Sequence, residues 1–171
     1  HLILCYIYLM RFPEAKRFEK TRSFVQKHLE GGTKILDLGT PNDLSKFIAS
    51  SGYKVQNTEG GNLDTDFHTY IDTGVDCVTA FEIFEHLVSP FTVLKSIQSK
   101  KLVASIPLRL WFATAYRSKT DPRDRHFHEF EDWQFNWLLE KAGWKIIATE
   151  KWTNPTKKIG IRPILRWFTP R

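Results

Sequence analysis

Apolar residues in this chain fall alternately into short unbroken runs and into stripes at helical spacing, and that alternation predicts most of its elements. After Pro13, which suits a first helical turn, Ala15, Phe18, Val25 and Leu29 recur at a near-helical period until Gly31-Gly32, so an amphipathic helix is expected over 14–30. Lys34-Ile35-Leu36-Asp37-Leu38-Gly39 is a strand-like burst that ends in glycine. Asn42 or Asp43 then caps a helix in which Leu44, Phe47, Ile48 and Ser51 stand at i, i+3, i+4 and i+7, with Gly52 as its stop.

The same pattern continues downstream. Tyr53 to Glu59 restarts as a strand, and the polar stretch through Asp66 leaves little room for a full helix. Val75 to Phe81 reads as a buried strand, Ser89-Pro90 opens a helix, and Lys101 to Ile106 is a further strand ended by Pro107. Between Pro107 and Phe130 there is no clean period, and a long irregular segment inside a compact domain is more often functional than decorative. Glu131 to Ala142 reads as a helix with Trp133, Trp137 and Leu138 on one side and Gly143 as its stop; the two tryptophans, at i and i+4, are expected in the core. Trp144 to Trp152 makes the last strand, broken by Asn154-Pro155.

Strands alternating with helices predict an α/β domain of three layers, a single Rossmann-like unit with a mostly parallel sheet covered on both faces. At 171 residues the chain has the length of about one domain. The expected organisation is a segment and helix over 1–32 packed on the domain, the α/β body over 33–153, and a basic aromatic tail over 154–171. The apolar run Leu2 to Met10 is about half the roughly 20 residues that span a bilayer.

Charge changes this picture only at the ends. Residues 1–30 carry 6 basic and 3 acidic side chains, 31–149 carry 13 and 15, and 150–171 carry 6 and 1, so the net +6 belongs to the termini. A nucleic-acid-binding body more often shows a basic face, whereas this one is slightly acidic, which argues against a nucleic-acid partner. The tail mixes Arg162, Arg166 and Arg171 with Ile164, Leu165, Trp167 and Phe168. Such a segment could touch an anionic membrane surface, close over a site, or pack on its own domain. Two distant cysteines, Cys5 and Cys77, fit a reduced, cytoplasmic compartment.

The strand-turn-helix at 34–51 carries the candidate chemistry. It has the layout that brings a nucleoside ligand to the carboxyl end of a parallel sheet, but one glycine at the turn fails the dinucleotide fingerprint, which excludes a nicotinamide or flavin enzyme from the leading readings. Glu59 follows Gly39 by 20 residues and closes the next strand. There it could accept both ribose hydroxyl protons, or simply be a solvated loop carboxylate. His86 could orient a substrate or act as a base, or pack at a helix start beside Glu85. His126 and His128 are two apart with Glu129 following; these are metal-compatible types, yet no second cluster is evident in the sequence, so no metal is expected and a substrate-lining or structural role is assigned.

Several of these pieces stand in a familiar order. Ile35-Leu36-Asp37-Leu38-Gly39, Val75-Asp76-Cys77-Val78, the Glu82-x-x-Glu85-His86-Leu87 stretch followed by Pro90, Val103 to Pro107, and His128-Glu129-Phe130 running into Leu138 to Trp144 together resemble the class I S-adenosylmethionine-dependent methyltransferases over about residues 33–150. The resemblance implies S-adenosylmethionine as cofactor and methyl transfer to a small-molecule or carrier-linked acceptor. It places Asp37 and Gly39 in the cofactor loop, Glu59 on the ribose, Asp66 with Phe67 (or Asp64, if the short loop shifts the register) at the adenine, and Phe81 and Glu82 at the strand end beneath the cofactor. Carboxylates and aromatic faces suit a cationic sulfonium. His86, His126 and His128 would be the catalytic candidates.

The sequence departs from the family's first motif at Pro41 and Asp43, where glycines are usual. Proline removes an N–H donor there, and Asp43 puts a negative charge at a helix start that would otherwise favour the methionine carboxylate. A methyltransferase-like interaction domain without cofactor therefore stays open as an alternative, as does a nucleic-acid methyltransferase.

Overall fold

The computed structural model describes residues 2–4, 14–58, 60–66, 70 and 74–152. In chain order the elements are β1 (Leu2–Leu4), α1 (Glu14–His28), β2 (Lys34–Asp37), α2 (Asp43–Ala49), β3 (Lys54–Asn57), β4 (Cys77–Phe81), a 3-10 turn at Phe84–His86, α3 (Pro90–Ser96), β5 (Lys101–Ser105), α4 (Asp132–Lys141) and β6 (Lys145–Ala148). The strands form one six-stranded sheet in the order β3-β2-β4-β5-β1-β6, and each of its pairings is parallel. The α/β, Rossmann-like architecture expected from the sequence is the one observed.

Period-two alternation along the strands explains the three layers. On β2, Ile35 faces one core and Leu36 the other; Cys77 and Val78 on β4, and Val103 and Leu102 on β5, divide in the same way. One face buries Phe24, Val25 and Leu29 of the α1 segment with Leu44 and Ile48 of α2. The other buries Val93 and Leu94 of α3 with Phe135 and Leu139 of α4. Strands buried on both sides need near-continuous apolar sequence, which is what the short runs supplied. The Trp144 indole N–H donates to the Leu94 carbonyl at 3.0 Å and ties α3 to the start of β6.

Two expectations need correction. Trp133 and Trp137 are not core: they are 55% and 57% exposed, and the buried stripe of α4 is Phe135 and Leu139, continued by Ala142. Both stripes have helical spacing, and only the second continues along the buried side; side-chain bulk pointed to the wrong one. The Trp133 indole instead donates to Glu131, and Lys141 lies over the Trp137 ring. Residues 2–4, read only as part of a run too short for a bilayer, pair with β5 and β6 inside the sheet. Among the described residues no helix is long and apolar enough to cross a membrane. The tail from residue 153 onward lies outside the described residues.

Candidate functional site

β2 and β4 are hydrogen-bonded neighbours, yet the chain leaves β2 toward β3 on one side while β4 lies on the other. Such a reversal marks where open α/β sheets take their ligands, outside the carboxyl ends of the strands. Asp37 ends β2, and Phe81 ends β4.

Asp37 is 3% exposed. Its Oδ1 accepts from the Thr79 hydroxyl at 2.6 Å and its Oδ2 from the Asn57 amide at 3.0 Å. Three adjacent strands are thus joined through one carboxylate. Burial pushes its pKa up to about 6, partly opposed by those two hydrogen bonds. Gly39 follows with φ +107°, a left-handed conformation that favours glycine, and a Cβ there would sit 3.4 Å from Ile83 Cδ1. Its N–H donates to the Thr58 hydroxyl at 2.7 Å.

Of the two cap candidates for α2, Asn42 is the one used. Asn42 Oδ1 accepts from the Ser45 N–H and Ser45 Oγ from the Asn42 N–H, both at 3.0 Å, a reciprocal capping box. Asp43 is exposed and lies 3.4 Å from Lys46. Pro41 precedes the cap on the exposed side of the turn.

Glu59 and Phe67, assigned to the ribose and the adenine, lie outside the described residues. Asp66 folds back on its own loop, accepting from the Asn62 N–H at 2.8 Å. Gly61, at φ +90°, admits it, since a Cβ there would come within 2.6 Å of Asp66 Oδ2. Asp64 has a task the sequence reading missed: its two oxygens accept from the Val88 and Ser89 N–H groups at 2.9 and 2.8 Å. It therefore clamps the entry to α3, whose cap residue Ser89 makes no side-chain cap bond of its own. Replacing Asp64 by alanine is expected to cost about 1–2 kcal/mol, as for loss of a helix cap, with asparagine recovering part of it in urea unfolding.

Glu82, just past β4, is the one non-glycine residue with positive φ among those described, at 56°. Strained backbone of this kind gathers at functional sites. Its carboxylate accepts from the Arg17 guanidinium at 2.7 Å, so α1 reaches the strand ends. Burial raises the Glu82 pKa, and Arg17 and then His126 pull it back.

The catalytic candidates separate into a pair and an outlier. His86 and His126, 40 residues apart in sequence, meet edge to face with ring centroids 4.9 Å apart. The Phe127 and His128 N–H groups both donate to the Glu85 carbonyl, at 2.8 and 3.2 Å, which pins the irregular segment against the 3-10 turn. His86 Nδ1 lies 3.0 Å from the Arg125 carbonyl, and His126 Nδ1 lies 2.8 Å from Glu129 Oε1. Burial lowers the His86 pKa, so the ring is mainly neutral at pH 7. His128 stacks on Phe130 instead, 5.4 Å between centroids, with Nε2 3.4 Å from the Val88 carbonyl.

Glu85 completes the pair. It is 1% exposed, its Oε2 has no hydrogen-bond partner, and its Oε1 is 3.8 Å from His86 Nε2. Burial holds its pKa well above the usual carboxylate range, with Glu82 adding in the same direction. The ligand atoms of Glu85, His86 and His126 lie within 4.8 Å of one another, a group able to hold a metal ion. The sequence reading found no second cluster beside His126 and His128; the fold supplies one by bringing up Glu85-His86 and leaving His128 aside. The adjacency of Glu85 and His86 was the available signal, and the approach of a segment 40 residues later was not.

No family model and no curated protein matches the sequence. Among solved structures, the chain is similar to a complex between the Haloferax volcanii Trm112 methyltransferase activator and a candidate methyltransferase, at 12% identity, covering 79% of this chain and 77% of that one, with a TM-score of 0.42. A likeness of that degree leaves the chemistry to be read from the residues.

Proposed function

We propose that the protein transfers a methyl group from S-adenosylmethionine to a small-molecule or carrier-linked acceptor. The observation that supports this most is the reversal of strand order between β2 and β4, where Asp37, Gly39, Phe81 and Glu82 stand at adjacent strand ends in the order of the family resemblance. In this reading Asp37 and Gly39 shape the turn under the cofactor, Glu59 holds the ribose, Asp66 and Phe67 meet the adenine, and Phe81 and Glu82 form the floor. The cofactor supplies an electrophilic methyl on a sulfonium. The chain aligns an acceptor against it from the irregular segment 107–130, and alignment alone is worth several kcal/mol of barrier. A base is needed only for a protonated acceptor, and neutral His86 is the nearest fit.

A scaffold without cofactor is the second reading. Two observations favour it: the Asn42–Ser45 box takes up the Asn42 and Ser45 N–H groups at the start of α2, and both oxygens of Asp37 are already engaged.

Calorimetric titration with S-adenosylhomocysteine separates the two. Micromolar binding, about −8 kcal/mol, is expected, and ligand at a hundredfold excess over Kd should add about 2.7 kcal/mol of stability. No heat and no thermal shift at millimolar ligand would leave the interaction scaffold as the reading that stands. Glu59→Ala is expected to weaken binding about tenfold or more, since it removes charge-assisted bonds to a diol, with little change in the melting temperature of the free protein. Unchanged affinity would mean that the ribose lies elsewhere.

A further inference from the structure

We propose that Glu85, His86 and His126 form a binding site for a divalent transition-metal ion of the zinc or manganese class. Two imidazole nitrogens and one carboxylate are a ligand set suited to such ions, and open positions would remain for water or another oxygen ligand. The proposal concerns this cluster alone and stands whether or not the strand ends bind S-adenosylmethionine; an ion on His86 Nε2 takes the lone pair a general base would use, so with metal bound His86 is a ligand and not the base.

Four features of the cluster point the same way. Both rings have Nδ1 against an acceptor, the Arg125 carbonyl for His86 and the Glu129 carboxylate for His126. Those contacts favour the proton on Nδ1 in each neutral ring and leave a lone pair on Nε2, the outer-shell arrangement typical of metal-bound histidine. Glu129 Oε1 also accepts from the Tyr116 N–H at 3.0 Å, so the outer carboxylate is itself held in place. The third ligand, Glu85, is almost wholly buried with a bare Oε2. A buried carboxylate oxygen with no partner is costly, and a cation among two imidazoles would satisfy it. Finally, the bonds from Phe127 and His128 to the Glu85 carbonyl fix the segment that carries His126 to the turn that carries the other two ligands. Ligands about 2.0–2.2 Å from a tetrahedral ion stand roughly 3.3 Å apart. The ligand atoms now lie within 4.8 Å of one another, so an ion would have to draw the three side chains closer together.

The test uses the untagged, full-length protein freed of metal with a chelator. It is titrated calorimetrically with Zn2+ and Mn2+, with Mg2+ as the oxygen-preferring comparison, and with Co2+ for its visible d–d bands. One ion per chain is expected, with Zn2+ preferred over Mg2+. His126→Asn, on a partly exposed loop, should weaken binding at least tenfold and remove the Co2+ bands. Glu129→Gln, acting through His126, should weaken it about tenfold. His128→Asn should bind as the parent does. Circular dichroism of the metal-free variants checks that each is folded, and His126→Asn carries the decision if Glu85→Gln is not. No saturable binding of Zn2+, Mn2+ or Co2+, equal affinity in His126→Asn, or an equal loss in His128→Asn would each overturn the site.

Discussion

Replacing Phe135 by alanine is expected to destabilise the protein by about 3–5 kcal/mol, the range for a large aromatic removed from a core. Phe135 is 0% exposed in α4. Its ring lies 5.7 Å from that of Phe84 and 5.3 Å from that of Phe130, tilted against both. It therefore joins the helix to the 3-10 turn on one side and to the end of the irregular segment on the other. Leu139, one turn on, is equally buried and cannot refill the space without leaving its own contacts. At about 2–4 °C per kcal/mol for a chain of this length, the midpoint should fall by about 10 °C. Thermal unfolding followed by circular dichroism reads this directly. Trp137→Ala on the same helix is the control: it is exposed and should move the midpoint little. A larger shift for Trp137→Ala than for Phe135→Ala would place the tryptophan face, and not the phenylalanine face, against the sheet.

That comparison also marks where the sequence was and was not legible. Strands buried on both sides leave an unambiguous trace, because β2, β4 and β5 have to be apolar at nearly every position; their parallel order followed from the helices between them. Caps were legible to within one residue, since Asn42 and Asp43 are both good candidates and only the geometry of Ser45 chooses. The face of α4 was not, because a stripe through Trp133 and Trp137 and one through Phe135 and Leu139 are equally periodic. Strand β1 escaped because three residues carry too little pattern to separate a strand from any other apolar run.

The candidate site divides along the same line. Asp37 and Gly39 are local features, a carboxylate and a left-handed turn at the end of one strand, and the chain states them within six residues. The arrangement around Glu85 is not local. His126 reaches His86 only because Phe127 and His128 hydrogen-bond to a carbonyl some 40 residues earlier, and no spacing rule predicts a loop docking on a turn. Arg17 on Glu82 and Asp64 on the entry to α3 are contacts of the same kind. Charge that meets across the fold in this way is where a physical reading of one sequence runs out first.

Asp37→Asn is expected to reverse sign in its effect on stability between acid and neutral pH. The Asp37 pKa is about 6 in the folded protein against 3.8 as its ordinary value. Below about pH 4 the carboxyl is protonated in both states and contributes no slope. Between about pH 4 and pH 6 the unfolded chain loses this proton while the folded one keeps it, so the native state binds more protons and stability falls as pH rises. The whole interval is worth about 3 kcal/mol at 1.36 kcal/mol per pH unit. An asparagine stays uncharged throughout. Relative to the parent it should therefore gain about 3 kcal/mol from pH 4 to pH 7, passing from equal or slightly less stable to clearly more stable. Urea unfolding of both proteins at several pH values measures the difference, in which the raised Glu82 and Glu85 cancel because both proteins carry them. Parallel curves would show that Asp37 ionises in the folded state as freely as in the unfolded one. A converging and crossing pair would show that at neutral pH the fold holds a buried negative charge at a cost in stability. A carboxylate kept at the end of β2 against stability is a cost that the fold alone does not require, the kind that function imposes.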